Sequence, residues 1–166
     1  MCFEADIVSL EEEVVRELKE WGYTLTTAES CTGGMIASRI CDVPGASEVL
    51  MQGLVTYSNE AKMRYLGVKK ETLDTLGAVS WETAGEMSLG GWSKTGTNVC
   101  ISVTGIAGPG GGSSEKPVGL VYMGCCVNGE NKVMGYRFSG DRTKIRQQSA
   151  TAALNLILNC LAQQRQ

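Results

Sequence analysis

The run Asn98-Val-Cys-Ile-Ser-Val-Thr-Gly105 constrains the fold more than any other stretch of this chain. It is short, β-branched and apolar, with no charge on alternate positions. A strand of that kind has to be covered on both faces. The segments around it supply the cover. Helical patterns precede, interrupt and follow the strand-like runs, which predicts an α/β protein: a single-domain α/β/α layered sandwich whose mixed sheet carries helices on both faces. Neither an internal repeat nor a linker divides the chain, so residues 1–166 are expected to form one domain.

Individual elements follow from periodicity and stop signals. Ile7, Leu10, Val14, Leu18 and Trp21 recur at steps of three and four, one face of an amphipathic helix that Gly22 ends. "YTLTTAE" reads as a strand and "GGMIASRIC" as a helix running no further than Pro44. "GASEVLMQGLVTYS" reads as a helical turn or two and then a strand ending near Tyr57. Ser58 or Asn59 caps a helix through Leu66, stopped by Gly67. A short helix near Glu71–Leu76 and a longer one from Trp81 to Lys94, with Ser80 as N-cap, come next. "VGLVYMGCCV" and "KVMGYRF" form a hairpin about Asn128-Gly129. A last helix from Asp141 turns Ile145, Ala152, Leu156 and Cys160 inward.

Composition excludes several classes of function. A net charge of −3 argues against a general nucleic-acid coat. The acidic N-terminus lacks the basic start and apolar run of a signal peptide, and no apolar stretch approaches the ~20 residues of a membrane helix. The expectation is a cytoplasmic protein that binds neither nucleic acid nor membrane. The chain has no histidine, and its seven cysteines contain no C-x-x-C pair, which excludes a mixed Cys/His zinc site. Buried, reduced cysteines are expected.

Three segments carry chemistry. The glycine loop Gly105–Gly112 can converge backbone N–H groups on an anion, with Lys116 adding charge, yet it is neither a Walker A loop nor a dinucleotide fingerprint. In "SGDRTKIR", Asp141 as N-cap puts Arg142 in the first turn, where a cation opposes the helix dipole unless an anion also sits there. In "TYSNEAK", the same logic puts Lys62 in a first turn, where the dipole and burial both lower its pKa. A neutral lysine can serve as a general base, so a hydroxyl nucleophile needs no histidine. Ser30, Ser47, Ser58, Thr32 and Thr104 all offer that hydroxyl, and spacing does not choose among them. Cys31, in "TAESCTGG", is a further nucleophile if a helix N-terminus lowers its pKa.

Taken in order, "TTAESCTGG", "GLVTYSNEAKMRYLGV", "SVTGIAGPGGGSSEKPVGLVY" and "FSGDR" resemble the CinA C-terminal domain family, whose stand-alone members are nicotinamide mononucleotide deamidases. The resemblance runs from about Ile7 to Leu161. It implies an α/β/α domain that hydrolyses the carboxamide of nicotinamide mononucleotide to nicotinic acid mononucleotide and ammonia through a Ser–Lys pair. By motif position it implies Ser47 as nucleophile and Lys62 as base, with Tyr57 holding Lys62 or the pyridine ring. Glu29, Ser30 and Thr32 would orient the ligand or support the site. Thr104 and the loop glycines Gly105, Gly108 and Gly110, with Lys116, would meet ribose and phosphate, and Arg142 would clamp the phosphate. The expected partner is a small-molecule nucleotide, in a homo-oligomer, with neither cofactor nor metal. The competing expectations are a nucleotide- or partner-binding module without catalysis, and an amidase for another small carboxamide.

Overall fold

The computed structural model describes residues 8–165. Ile7 and Cys2 lie outside the described residues. Helix α1 (Leu10–Trp21) starts at Ser9, whose hydroxyl and the Glu12 carboxylate form a reciprocal capping box, and stops at Gly22 in the left-handed region. Strand β1 (Leu25–Glu29), helix α2 (Met35–Cys41), a 3-10 turn (Ala46–Glu48) and strand β2 (Leu50–Val55) follow. Three helices come next: α3 (Asn59–Leu66), α4 (Lys70–Leu76) and α5 (Trp81–Thr95). Ser58 caps α3 and Ser80 caps α5 through their hydroxyls. The buried strand is β3 (Val99–Gly105). Strands β4 (Leu120–Val127) and β5 (Glu130–Arg137) form the hairpin, and α6 (Arg142–Gln163) closes the chain from its Asp141 cap. At the hairpin turn, Asn128 and Gly129 both take positive φ, which matches the twist of the strands they join.

The five strands lie in the order β2-β1-β3-β4-β5. β1 pairs in parallel with both β2 and β3, while β4 runs antiparallel to β3 and β5 to β4, so the sheet is mixed as expected. One face packs Leu25, Val99, Ile101, Val103, Val121 and Met123 against α1, α2 and α6. The other packs Ala28 and Cys100 against Leu66, Leu73 and Met87 of α3, α4 and α5. Full burial of each such aliphatic side chain stabilises by about 1.5–3 kcal/mol. The fit of α5 depends on Gly90, where a Cβ would stand 1.7 Å from the Leu66 carbonyl oxygen.

Two expectations shift. β2 ends at Val55 rather than near Tyr57: the Thr56 N–H still bonds the Glu29 carbonyl at 2.8 Å, but the chain then turns into α3. Ala152 is only half-buried, at the margin of the α6 face, whereas Ile145, Leu156 and Cys160 are buried. No helix among the described residues is long and apolar enough to cross a membrane.

This topology positions a site. From β1 the chain steps to β2 through α2 on one face, then crosses back to β3 through α3–α5 on the other. β1 is therefore a switch point. In open α/β sheets such a point opens a crevice outside the carboxyl ends of the strands. The residues leaving those ends are Ser30, Thr56 and the glycine loop.

Candidate active site

Glu29, the last residue of β1, is fully buried, and its carboxylate accepts the N–H groups of Gly34 (3.0 Å), Ile36 (3.1 Å) and Ala37 (2.9 Å). It thus caps α2 from outside the helix, where Gly34 at the N-cap has no side chain for the task. That arrangement leaves the next hydroxyl free. Ser30 is held by its backbone, its N–H donating to the Val103 carbonyl at 2.9 Å.

Lys62 meets that hydroxyl. It sits one turn into α3 with 1% of its surface exposed, and Nζ lies 3.0 Å from Ser30 Oγ. The same nitrogen donates to the carbonyls of Thr56 (2.8 Å) and Tyr57 (3.3 Å). Burial pushes Lys62 from an ordinary 10.5 down to about 8, against a smaller opposing effect of Cys31. At 10.5 an amine is neutral in about three molecules in ten thousand at pH 7, and at 8 in roughly one in ten. As an ammonium, Lys62 fills three acceptors with three protons. As an amine, it keeps the two carbonyls and turns its lone pair to the Ser30 hydroxyl. In the second state an uncharged amine faces a hydroxyl that it can deprotonate.

Ser47 is the main correction. It lies exposed on the 3-10 turn before β2, whereas Lys62 Nζ reaches the carbonyls that follow β2. Six strand residues separate those ends by about 20 Å at 3.3 Å each. The chain does not double back between them, so Ser47 and Lys62 are not a pair, and Ser30 takes the position expected of Ser47. Burial pushes the Cys31 thiol up to about 11, away from the thiolate that an attacking sulfur needs.

Arg142, at the start of α6, donates to the Gly108 carbonyl at 2.8 Å and to Tyr57 Oη at 3.0 Å. It therefore joins the glycine loop to the segment that carries Lys62. Tyr57 is 60% exposed and meets Lys62 through its backbone carbonyl rather than through its ring. Thr104 and Lys116 are likewise engaged with protein. The Thr104 hydroxyl donates to the Ala78 carbonyl at 2.7 Å, and the Lys116 ammonium donates to those of Leu76 and Val79. Both tie the 76–79 segment before α5 to β3 and to the chain that leads into β4. Gly105 closes β3, Gly108 is buried at the base of the loop, and Gly110 is exposed at its tip.

Sequence reasoning passed over two residues. Arg146 lies one turn beyond Arg142 on the same helical face and donates to the carbonyls of Cys31 (3.0 Å) and Thr32 (2.8 Å), which pins the turn after Ser30. The i,i+4 spacing in "DRTKIR" was its signal. Thr56 left no such signal, since its role rests on a backbone carbonyl. The hydroxyls of Thr32 and Thr56 are both buried without a partner among the described residues.

Comparison with known proteins agrees with this architecture. The chain is 55% identical over 153 residues to a CinA-like protein of Kosmotoga olearia, covering 92% of this chain and 37% of that protein. It is 59% identical over 139 residues to a putative competence-damage inducible protein of Clostridium perfringens, covering 84% and 34%. It thus spans about a third of the length of these curated relatives. The crystal structure of a competence/damage inducible protein from Agrobacterium tumefaciens superposes with a TM-score of 0.89 at 43% identity, covering 98% of this chain and 99% of that one. A CinA superfamily protein from Klebsiella pneumoniae superposes equally well, also at 0.89, with 36% identity over 93% of this chain and 96% of that one. The CinA C-terminal domain model matches residues 7–161, and the chain belongs to that family.

Proposed function

We propose that the chain is an amidohydrolase in which Ser30 is the nucleophile and Lys62 the general base, and that its substrate is nicotinamide mononucleotide. The observation that carries this reading is the 3.0 Å contact between a buried amine held near pKa 8 and a hydroxyl with no competing cap to make. The choice of substrate rests on the family resemblance.

Neutral Lys62 accepts the Ser30 proton as Oγ attacks the carboxamide carbon. The developing oxyanion needs donors beside the nucleophile. The N–H groups of Cys31 and Thr32 follow Ser30 directly and have no acceptor among the described residues. The tetrahedral centre collapses, the C–N bond breaks, and Lys62 returns the proton to the leaving nitrogen, which departs as ammonia. Water then gives its proton to Lys62, attacks the acyl-enzyme and releases the carboxylic acid with Ser30 restored. The nucleotide phosphate goes to Arg142 and the glycine loop, where exchange of the Gly108 and Tyr57 contacts would free the guanidinium fork.

A module that binds nucleotide without catalysis has no use for a buried amine that weakens the fold. An amidase for a different carboxamide would keep the dyad and change only the pocket. Ammonia release from the purified protein separates these readings. Turnover of nicotinamide mononucleotide, with none of free nicotinamide, supports the proposal. Turnover of another carboxamide alone replaces the substrate, and binding without ammonia release removes the enzyme.

A further inference from the structure

The turn that follows Ser30 leaves two backbone donors over. From Ser30 to Ala37 every N–H group but two has an acceptor among the described residues. Ser30 donates to the Val103 carbonyl, Gly33 to that of Ser30 and Met35 to that of Thr32. Gly34, Ile36 and Ala37 donate to the Glu29 carboxylate. The N–H groups of Cys31 and Thr32 remain, and both residues are buried. Buried backbone donors are nearly always paired, so two neighbours left over beside a nucleophile point to an acceptor that arrives with a ligand.

Arg146 grips the other side of this turn. One edge of its guanidinium donates from Nε to the Cys31 carbonyl at 3.0 Å and from Nη2 to the Thr32 carbonyl at 2.8 Å. A planar fork on two successive carbonyls fixes orientation as well as position. Gly33 makes the room, since a Cβ there would stand 3.3 Å from Arg146 Nη2. The Cys31 carbonyl and the Thr32 N–H belong to one trans peptide, whose two polar groups point in opposite directions. Arg146 comes from α6 on one face of the sheet, whereas Lys62 comes from α3 on the other. A carbonyl turned toward Arg146 therefore turns the Thr32 N–H toward the face on which Lys62 meets Ser30. A cation on the oxygen also draws charge through the peptide and makes its N–H a stronger donor.

We propose that Arg146 is a positioning residue for the reaction: it aims and polarises the Thr32 N–H, which together with that of Cys31 receives the oxyanion formed when Ser30 attacks. Arg146 touches no reacting atom and acts through the peptide it holds. Arg142, one turn earlier, bonds the Gly108 carbonyl and Tyr57 instead, so the two arginines serve different parts of the site. This inference rests on the proposed amidase activity.

The test compares wild type, Arg146→Met and Arg146→Lys in the full chain, first by amide NMR without nucleotide. In Arg146→Met the amide signals of Thr32 and Gly33, whose peptides lose a charged partner on the carbonyl, should move upfield. That of Cys31 should hold its place, because its peptide carbonyl belongs to Ser30 and is bonded by Gly33. Equal shifts of all three, or none, would overturn the proposal. Ammonia release from nicotinamide mononucleotide is then measured. Arg146→Met should lower kcat roughly 10–100-fold with KM within about threefold, since a misdirected oxyanion donor costs less than one removed. The pH midpoint of kcat/KM, set by Lys62, should stay in place, and Arg146→Lys, which can keep one carbonyl, should recover part of kcat. An unchanged kcat, a loss confined to KM or a moved pH midpoint would overturn the proposal. No ammonia release by wild type removes the amidase reading instead, and the amide shifts then still decide whether Arg146 holds the Thr32 peptide. If Arg146→Met does not fold, Arg146→Lys should give smaller changes of the same sign in both measurements.

Discussion

Lys62 Nζ reaches Ser30 Oγ at 3.0 Å from a different layer of the molecule. Ser30 leaves the inner strand β1, and Lys62 comes from the helix that follows the edge strand β2. The two meet because β1 and β2 run parallel in register, Glu29 opposite Val55, so that the chain leaves both at the same height. Thr56 and Tyr57 supply their carbonyls at that point, and the amine is fixed by backbone rather than by a flexible side chain.

Substitution separates the two serines. Ser30→Ala should lower kcat for ammonia release by ~10³-fold or more, as expected when one member of a nucleophile–base unit is lost. Ser47→Ala, on an exposed turn, should leave kcat and KM within about twofold of wild type. Steady-state assays of both variants check this, and full activity in Ser30→Ala would remove the proposed nucleophile.

The lysine makes two predictions about pH. If its neutral form is the base, kcat/KM should rise with pH and level off above about 8, where burial places its pKa. Stability should follow the same group. The unfolded chain holds the proton up to 10.5 and the native chain only to about 8, so between those values the native state gains as pH rises. Below 8 both states are charged and that gain is absent. Relative to Lys62→Met, which lacks the titration, wild type should gain roughly 2–3 kcal/mol between pH 7 and pH 10. Urea denaturation of both proteins at the two pH values measures the difference, and equal slopes would place the lysine outside the titration.

Arg142 links the loop to Tyr57 without bonding Lys62 or Ser30. Arg142→Ala should therefore raise KM for the nucleotide about tenfold or more while kcat changes little. A loss confined to kcat would move Arg142 out of phosphate binding. Salt should weaken wild-type binding and leave the variant less affected.

Glu29 is predicted to act on stability first. Its carboxylate satisfies three backbone N–H groups at the start of α2, and Ala would leave them unpaired, that of Ile36 in a buried position. Glu29→Ala should cost about 3 kcal/mol or more, and Glu29→Gln, which keeps one acceptor oxygen, about half as much. Chemical denaturation reads both. Activity should fall only as far as the turn at Cys31–Gly34 loosens.

Much of the molecule was determined locally. Ser9, Ser58, Ser80 and Asp141 each start a helix because a short oxygen-bearing side chain can satisfy its free N–H groups. Gly22, Gly67 and Gly96 stop helices because glycine, with no Cβ, takes a left-handed φ most readily. The buried β3, the Asn128-Gly129 hairpin and the first-turn positions of Lys62 and Arg142 follow from the same short-range chemistry. What paired with Lys62 did not. Ser30 and Ser47 stand 32 and 15 residues from it along the chain, both follow plausible turn signals, and Lys62 reaches the more distant one. Tertiary structure decided between them, because parallel pairing of β1 with β2 sets the ends of two strands side by side, a contact that no local preference encodes. The protein partners of Thr104 and Lys116 were decided in the same way. Their residue types fit a ligand, but their nearest acceptors are carbonyls of the 76–79 segment, delivered by the packing of α4 and α5 onto the sheet.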